Sequence, residues 1–418
     1  MKNHFSKNVV IYFLGTMINS SVPFFLLPIL TRVLSPEDYG IITIFTIVLS
    51  ISGVFAGLSV HGAVALRYYK HGREGIAAYV GSCLAILIVT TIIMSLLIVL
   101  LGDYLSPLIG LKRDWILLAV ILSGGQFLIQ IRLTLWQVVG NAINYSAFQV
   151  SSGIMNAALS LLLILVLGMM WEGRLIAQCL TIAIFSTLAL FWMWRGGLLS
   201  LPGTELFHHV KHALRYGVPL VPHVLGGMMI ALGDRMIIES KMTTSDVGIY
   251  AVGAQAGLAL NLLYQSFFKA WHPKIMERAL DDSYRRRLLV SGSYKVMGGS
   301  LLLYIVFSLV AWFMYPYLVG VSFIEGQWIV LLIALSSFFG ACYFSTAIYI
   351  QVANKNEYLA ISTIFSGAVG LAVSYVLCDP FGMIGVALGV VVGQLLSFLL
   401  CWYAANLVFP MPWVMKNS

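Results

Sequence analysis

Ile76-AAYVGSCLAILIVTTIIMSLLIVL-Leu101 runs for 26 residues without one charged side chain. A helix rises 1.5 Å per residue, so about 20 such residues cross the roughly 30 Å hydrocarbon core of a bilayer. Backbone groups in lipid must be satisfied within the segment, which makes the run a helix. The pattern repeats on either side. Apolar runs bounded by polar clusters predict spans at 8–30, 40–62, 76–101, 114–136, 147–169, 174–194, 218–239, 248–271, 293–315, 327–350, 359–378 and 384–406. Of the 418 residues, 60% are hydrophobic and 10% are charged, whereas soluble domains carry about a quarter charged. A water-soluble enzyme is excluded. The expected fold class is an all-α polytopic membrane protein of about 12 transmembrane helices, with no room for a separate catalytic domain.

Cys83, Cys179, Cys342, Cys378 and Cys401 lie inside apolar runs without paired spacing, which suggests neither disulfides nor zinc. Lys2 and Lys7 precede a first run that contains Asn19, Pro23 and Pro28 and lacks a small-residue cleavage site. It reads as a retained span, not a signal peptide. Twelve spans put both termini on one side. Fifteen Lys and Arg fall in segments on the side of the N-terminus against five on the other, so the termini are expected in the cytoplasm. The net charge of +8 is then a matter of topology, and no nucleic-acid partner is expected.

Ser35-Pro-Glu-Asp38-Tyr-Gly40, after the first span, recurs as Thr243-Thr-Ser-Asp246-Val-Gly248 after the seventh. Gln137-Val-Val-Gly-Asn141-Ala-Ile-Asn144-Tyr145, after the fourth, recurs one residue shorter as Gln351-Val-Ala-Asn354-Lys-Asn356-Glu-Tyr358 after the tenth. Two matches at equivalent points imply two six-helix halves, and an even number of spans gives both halves the same orientation. Parallel repeats of this kind occur in secondary transporters, with a central cavity between lobes. The expected division is an N-terminal lobe over 1–194, a cytoplasmic linker over 195–217, a C-terminal lobe over 218–406 and a cytoplasmic tail over 407–418. Within the linker, Thr204–Tyr216 places Leu206, Phe207, Val210, Ala213 and Leu214 on one face, with His208, His209, Lys211 and Arg215 off it. That is the pattern of an interfacial helix. Ile275, Met276, Ala279 and Leu280, followed by Arg285-Arg286-Arg287, read first as a topology anchor and second as a contact for anionic lipid or phosphate.

Polar residues in mid-membrane need a cavity or a partner. In the second span Thr43, Thr46, Ser50, Gly57 and His61 share one helical line, and the eighth carries Asn261, Gln265 and Lys269 at i, i+4 and i+8. His223 and Asp234 share a face of the seventh, and the first adds Thr16, Asn19 and Ser20. Any single one reads as helix-packing glue; for Asn261, Gln265 and Lys269 together a cavity lining is the better reading. Arg132 and Lys269 stand close enough to an interface to snorkel. Arg235 and Glu239 have the spacing of an ordinary intrahelical pair. Asp234 is deep, acidic and not expected on the face of Arg235. Nucleotide-binding, zinc-protease and serine-hydrolase signatures are absent, and the longest loop is about 23 residues, so neither ATP-driven pumping nor enzyme chemistry has its parts.

Tyr216-Gly-Val-Pro219-Leu-Val-Pro222-His223, Gly233-Asp234-Arg235 and Val247-Gly248-Ile249-Tyr250 resemble the start of the C-terminal half of bacterial polysaccharide flippases. Pro28-Ile-Leu-Thr-Arg32-Val-Leu-Ser-Pro-Glu-Asp-Tyr39-Gly40 resembles their N-terminal signature. These are the O-antigen-type (Wzx-like) translocases of the multidrug/oligosaccharidyl-lipid/polysaccharide exporter superfamily. The resemblance implies an inner-membrane protein that moves an undecaprenyl-diphosphate-linked repeat unit to the periplasmic leaflet by alternating access, for O-antigen or capsule-type glycans. A polysaccharide polymerase and a chain-length regulator are the implied further partners. It makes Arg67, Arg235 and Lys269 candidates for the diphosphate. Asn19, His61, His223, Asn261 and Gln265 become candidates for the sugars. Asp234 becomes a candidate for coupling to a proton or sodium ion, with no other cofactor expected. The alternative within the superfamily is an ion-coupled multidrug antiporter. The first six spans carry no mid-membrane acid, which favours the glycolipid. A membrane glycosyltransferase would need a large catalytic loop or paired carboxylates, and neither is present.

Overall fold

The structure, a computed structural model, describes residues 2–201, 203–279, 283–353, 355–410 and 412–413. Leu280 and residues 414–418 lie outside the described residues, as do the side chains of Met276, Ala279 and Arg285. The described elements are all helical. They are α1 (Lys2–Val33), α2 (Pro36–Phe55), α3 (His61–His71), α4 (Ile76–Ile109), α5 (Arg113–Val139), α6 (Ala142–Leu161) and α7 (Met170–Arg195), then α8 (Leu206–Gly217), α9 (Leu220–Lys241), α10 (Thr244–Ala279), α11 (Ser283–Leu318), α12 (Gln327–Val352) and α13 (Asn356–Val408).

Eleven helical stretches among the described residues are long and apolar enough to cross a membrane. The last of them holds two. Gly382 sits at φ 55°, ψ −138° inside α13, and the chain reverses there behind Pro380. A carbon added at Gly370 would lie 2.9 Å from the Gly393 Cα, so the two legs lie backbone against backbone. Across them, the Ser374 hydroxyl donates to the Val386 carbonyl at 2.9 Å. Among the described residues twelve spans result, the second of them displaced from the position that hydropathy gives.

The second span departs from expectation. The stretch 40–62 reads as one helix, but α2 stops at Phe55, and Gly57, Leu58 and Ser59 take φ of 142°, 48° and 59° before α3 begins. Positive φ costs a non-glycine residue roughly 1–2 kcal/mol, and tertiary contacts hold it. Gly57 lies against the Phe127 ring of α5, and Gly217 of α8 meets the Leu58 carbonyl directly. The polar line Thr43–Thr46–Ser50–Gly57–His61 is therefore broken. Its first three hydroxyls donate to the carbonyls of Tyr39, Ile42 and Thr46, four residues back.

Two compact units result, residues 1–34 with 38–229 and residues 35–37 with 230–418. The first has a core of Val64, Tyr79, Cys83, Phe127, Ile131 and Met193, and α8 docks onto it through Ala213. The second has one core around Ile348, Tyr349 and Cys401 and another around Leu260, Tyr264 and Phe268. All five cysteines are free, four of them buried and Cys179 half-buried.

Candidate functional site

In the second unit the deepest charges form a closed group. Asp234, 5% exposed, accepts from the Arg235 backbone N–H and from Arg235 Nη1, each at 2.8 Å. The Tyr250 hydroxyl on α10 donates to its other oxygen at 2.8 Å. Arg235 also donates to the Ala231 carbonyl at 3.2 Å and lies 5.7 Å from the Tyr250 ring centroid. This corrects two expectations. Arg235 pairs with its neighbour Asp234, not with Glu239, which instead accepts from the Thr244 hydroxyl at 3.1 Å. Asp234 and Arg235 also meet in spite of their helical offset, because a long guanidinium can fold back along its own helix to a carboxylate, and charge-assisted bonds of this kind are the strong ones.

The α10 stripe stands beside, not within, the packing of its unit. Leu260, Tyr264 and Phe268 are buried, and the Tyr264 hydroxyl donates to the Ser300 carbonyl at 2.6 Å. One position on, Asn261 is half-buried, while Gln265 and Lys269 are exposed. A helix in lipid gains nothing by presenting an amide and an ammonium, so this face is the part of the unit suited to a polar ligand. His223, near the start of α9, is exposed and belongs to the first unit, whereas Asp234 belongs to the second.

In the first unit Asn19 is half-buried and its side-chain oxygen packs on Gly153 of α6. His61 opens α3, edge-on to Phe127 at 5.9 Å between centroids, with its Nδ1 buried and unbonded among the described residues. Arg67, two turns on, stacks 5.4 Å from the Tyr79 ring centroid and joins a polar patch under α8. Tyr79 Oη lies 2.8 Å from His212 Nδ1, and Ser82 Oγ lies 3.4 Å from His209 Nδ1. His209 is 2% exposed whereas Phe207 is 79% exposed, which corrects the expected face of this helix. The ring of His209 is taken into the core by Tyr79 and Ser82, and Phe207 is turned outward, as suits an interfacial residue.

Burial, then the charge of Arg67, lowers the pKa of His209 below its ordinary 6.5, opposed by the exposed Glu205 at 3.2 Å. Burial also lowers His212, with Arg67 and Lys70 adding to the effect. The sign follows. An undocked helix binds protons near pH 6.5 that the docked one refuses, so docking is at full strength above pH 6.5 and weakens as pH falls below it. Hydrogen exchange of the α8 amides, corrected for intrinsic rates, is expected to accelerate between pH 7.5 and 5.5 while α4 stays protected. Equal protection at both values would refute this.

Two arginines carry more than their sequence context suggests. Arg174, the first residue of the expected span 174–194, is bound to Asn156 and, at 2.8 Å, to Ser160, a pair spaced i, i+4 on α6. Arg132 does not snorkel. It is 8% exposed, lies 4.0 Å from the Trp136 ring centroid, and its Nε is buried without a partner among the described residues. The signal available in sequence was the tryptophan four residues on.

A family model for polysaccharide biosynthesis proteins matches residues 5–279. A protein of the Lsg locus of Haemophilus influenzae is 25% identical over 377 residues, covering 88% of this chain and 89% of that one. A membrane protein of the same organism is 26% identical over 403 residues, covering 92% and 94%. Among solved structures, the inward-facing conformation of a MATE family multidrug resistance transporter of the MOP superfamily matches with a TM-score of 0.70 at 17% identity over 94% of both chains. A MATE transporter of Vibrio cholerae matches with a TM-score of 0.63 at 14% identity over 97% of this chain and 96% of that one. At such identities the structures show the fold alone. With two thirds of its length matched by the family model and this fold beneath it, the chain is a multi-pass membrane protein that belongs to the polysaccharide biosynthesis protein family.

Proposed function

We propose that the protein flips undecaprenyl-diphosphate-linked oligosaccharides from the cytoplasmic to the periplasmic leaflet of the inner membrane, with both termini in the cytoplasm. One observation carries the reading: a polysaccharide-biosynthesis family match over residues 5–279 in a chain whose spans leave a polar face, Asn261–Gln265–Lys269, outside the packing of their own unit. A diphosphate needs cations, and unit charges 4 Å apart attract by about 4 kcal/mol at an effective dielectric of 20. Lys269 and Arg67 offer that charge, while Asn261, Gln265, Asn19, His61 and His223 offer hydrogen bonds to sugar. Arg235 is already engaged by Asp234 at 2.8 Å, and we assign the pair to fixing α9 against α10. A proton or sodium ion bound at Asp234 would first have to displace the guanidinium. No bond of the substrate is made or broken, so alternating access suffices.

A deletion strain is expected to accumulate lipid-linked oligosaccharide on the inner leaflet and to recover with the wild-type gene. Unchanged lipid-linked pools, with hypersensitivity to cationic drugs instead, would transfer the protein to the antiporter class. Within the reading, Lys269→Ala is expected to lower surface glycan about tenfold or more, the worth of one charge-assisted contact. Because Lys269 is exposed, the amount of folded protein should not change, and Lys269→Arg should restore most of the glycan. Normal glycan in Lys269→Ala would take the residue out of the substrate path.

A further inference from the structure

Where α5, α6 and α7 converge in the first unit, they enclose an open cavity of about 490 Å³. It is lined by the buried Arg132, Trp136, Phe148 and Phe185 and by the exposed Trp192 and Arg195. The aromatic rings brace one another, Trp136 against Phe148 at 5.3 Å and against Trp192 at 5.4 Å between centroids. Among the described residues that line it there is no Asp or Glu. A guanidinium that is 8% exposed, with its Nε buried and unbonded, is costly unless an anion completes it. No described residue does so here. Arg132 stands two turns inside the end of α5, and Arg195 closes α7. Both therefore lie in the half of their helices that the Lys and Arg bias of the loops assigns to the cytoplasm.

We propose that this cavity binds the phosphate of a membrane lipid, with Arg132 and Arg195 on the phosphate and the aromatic walls against the first methylenes of the chain. Arginine suits the task, since its planar fork meets phosphate oxygens two at a time. Asn144 and Ser151, also at the lining, supply neutral hydrogen bonds to the ester or glycosyl oxygens. The phosphate can come from an anionic phospholipid or from a prenyl diphosphate. The site is independent of what the protein transports, because it lies wholly within one unit and its occupancy is read by binding alone.

Native mass spectrometry of the full-length protein, released from detergent after incubation with phosphatidylglycerol, undecaprenyl diphosphate or phosphatidylcholine, tests it. The wild type is expected to retain one or both anionic lipids at least about tenfold better than phosphatidylcholine, and Arg132→Gln to abolish that preference. Retention of both anionic lipids identifies a general phosphate site; retention of undecaprenyl diphosphate alone identifies a site for the prenyl carrier. If Arg132→Gln fails to fold, Ala147→Trp serves instead. Ala147 is exposed at the lining, so the indole fills the cavity while leaving Arg132 in place. No preference for anionic lipids in the wild type, or full preference in a folded Ala147→Trp or Arg132→Gln protein, would overturn the proposal. A transport-inactive protein that still shows the preference would refute the flippase reading and leave this one standing.

Discussion

Asp234→Ala is expected to cost about 3–5 kcal/mol of stability, the usual loss when one partner of a buried ion pair is removed. The reason is the state of what remains. Arg235, with a side chain 12% exposed, would keep its charge with one carbonyl contact at 3.2 Å, and the Tyr250 hydroxyl would lose the acceptor it holds at 2.8 Å. Against the 5–15 kcal/mol typical of a folded domain, such a loss should show as a large fall in thermal stability in detergent and in the amount of protein reaching the membrane. The double variant Asp234→Asn with Arg235→Gln removes both charges and keeps an acceptor for Tyr250, so it should recover most of the stability. A role in ion coupling makes the opposite forecast: Asp234→Asn alone would be fully stable and inert in transport. Equal stability of Asp234→Ala and the wild type would show that the pair does not hold α9 to α10.

What the sequence discloses and what it hides divide along physical lines. Transfer of apolar residues into lipid is a property of composition over about 20 residues, so all twelve spans could be read, including the reversal at Asp379-Pro380-Phe381-Gly382 between two of them. Backbone angles are not a matter of hydropathy. Phe55-Ala-Gly-Leu-Ser59 continues the apolar run, and the left-handed turn there exists because Phe127 and Gly217, distant in sequence, close around it. The stripe Asn261–Gln265–Lys269 was visible because it needs only helical spacing. The partner of Arg235 was not, because spacing favours Glu239, whereas Glu239 is taken by Thr244 and Asp234 is held in place by Tyr250 on another helix. His209 and Arg132 were misread for a common reason: polarity was taken as a sign of exposure. Each is in fact buried against an aromatic ring, His209 against Tyr79 at 5.3 Å between centroids and Arg132 against Trp136 at 4.0 Å.

Gly389→Leu is expected to separate the two legs of α13 and to cost about 3 kcal/mol or more, at or above the upper end of overpacking penalties. Gly385, Gly389 and Gly393 stand at the i, i+4, i+8 spacing that lets helices touch at their backbones, and here the touching surface is the chain itself. A first side-chain carbon on Gly389 would fall on the backbone nitrogen of Ser374, and one on Gly385 on the Leu377 carbonyl. These are backbone atoms, unable to move aside as the tip of a side chain would. The damage should reach beyond the hairpin, because the turn of α13 is tied to the end of α9 by Lys241, whose ammonium lies 2.8 Å from an Asp379 oxygen and 2.8 Å from the Tyr375 carbonyl. Separated legs would carry Asp379 away from that ammonium. Gly298→Leu on α11 is the control, since nothing lies within 4 Å of a carbon added there and leucine gains about 0.8 kcal/mol or more over glycine in helix propensity. Thermal stability in detergent should therefore collapse for Gly389→Leu and hold or rise for Gly298→Leu. Equal stability of the two variants would mean that the legs are not packed at their glycines and that the reversal at Gly382 alone shapes this part of the second unit.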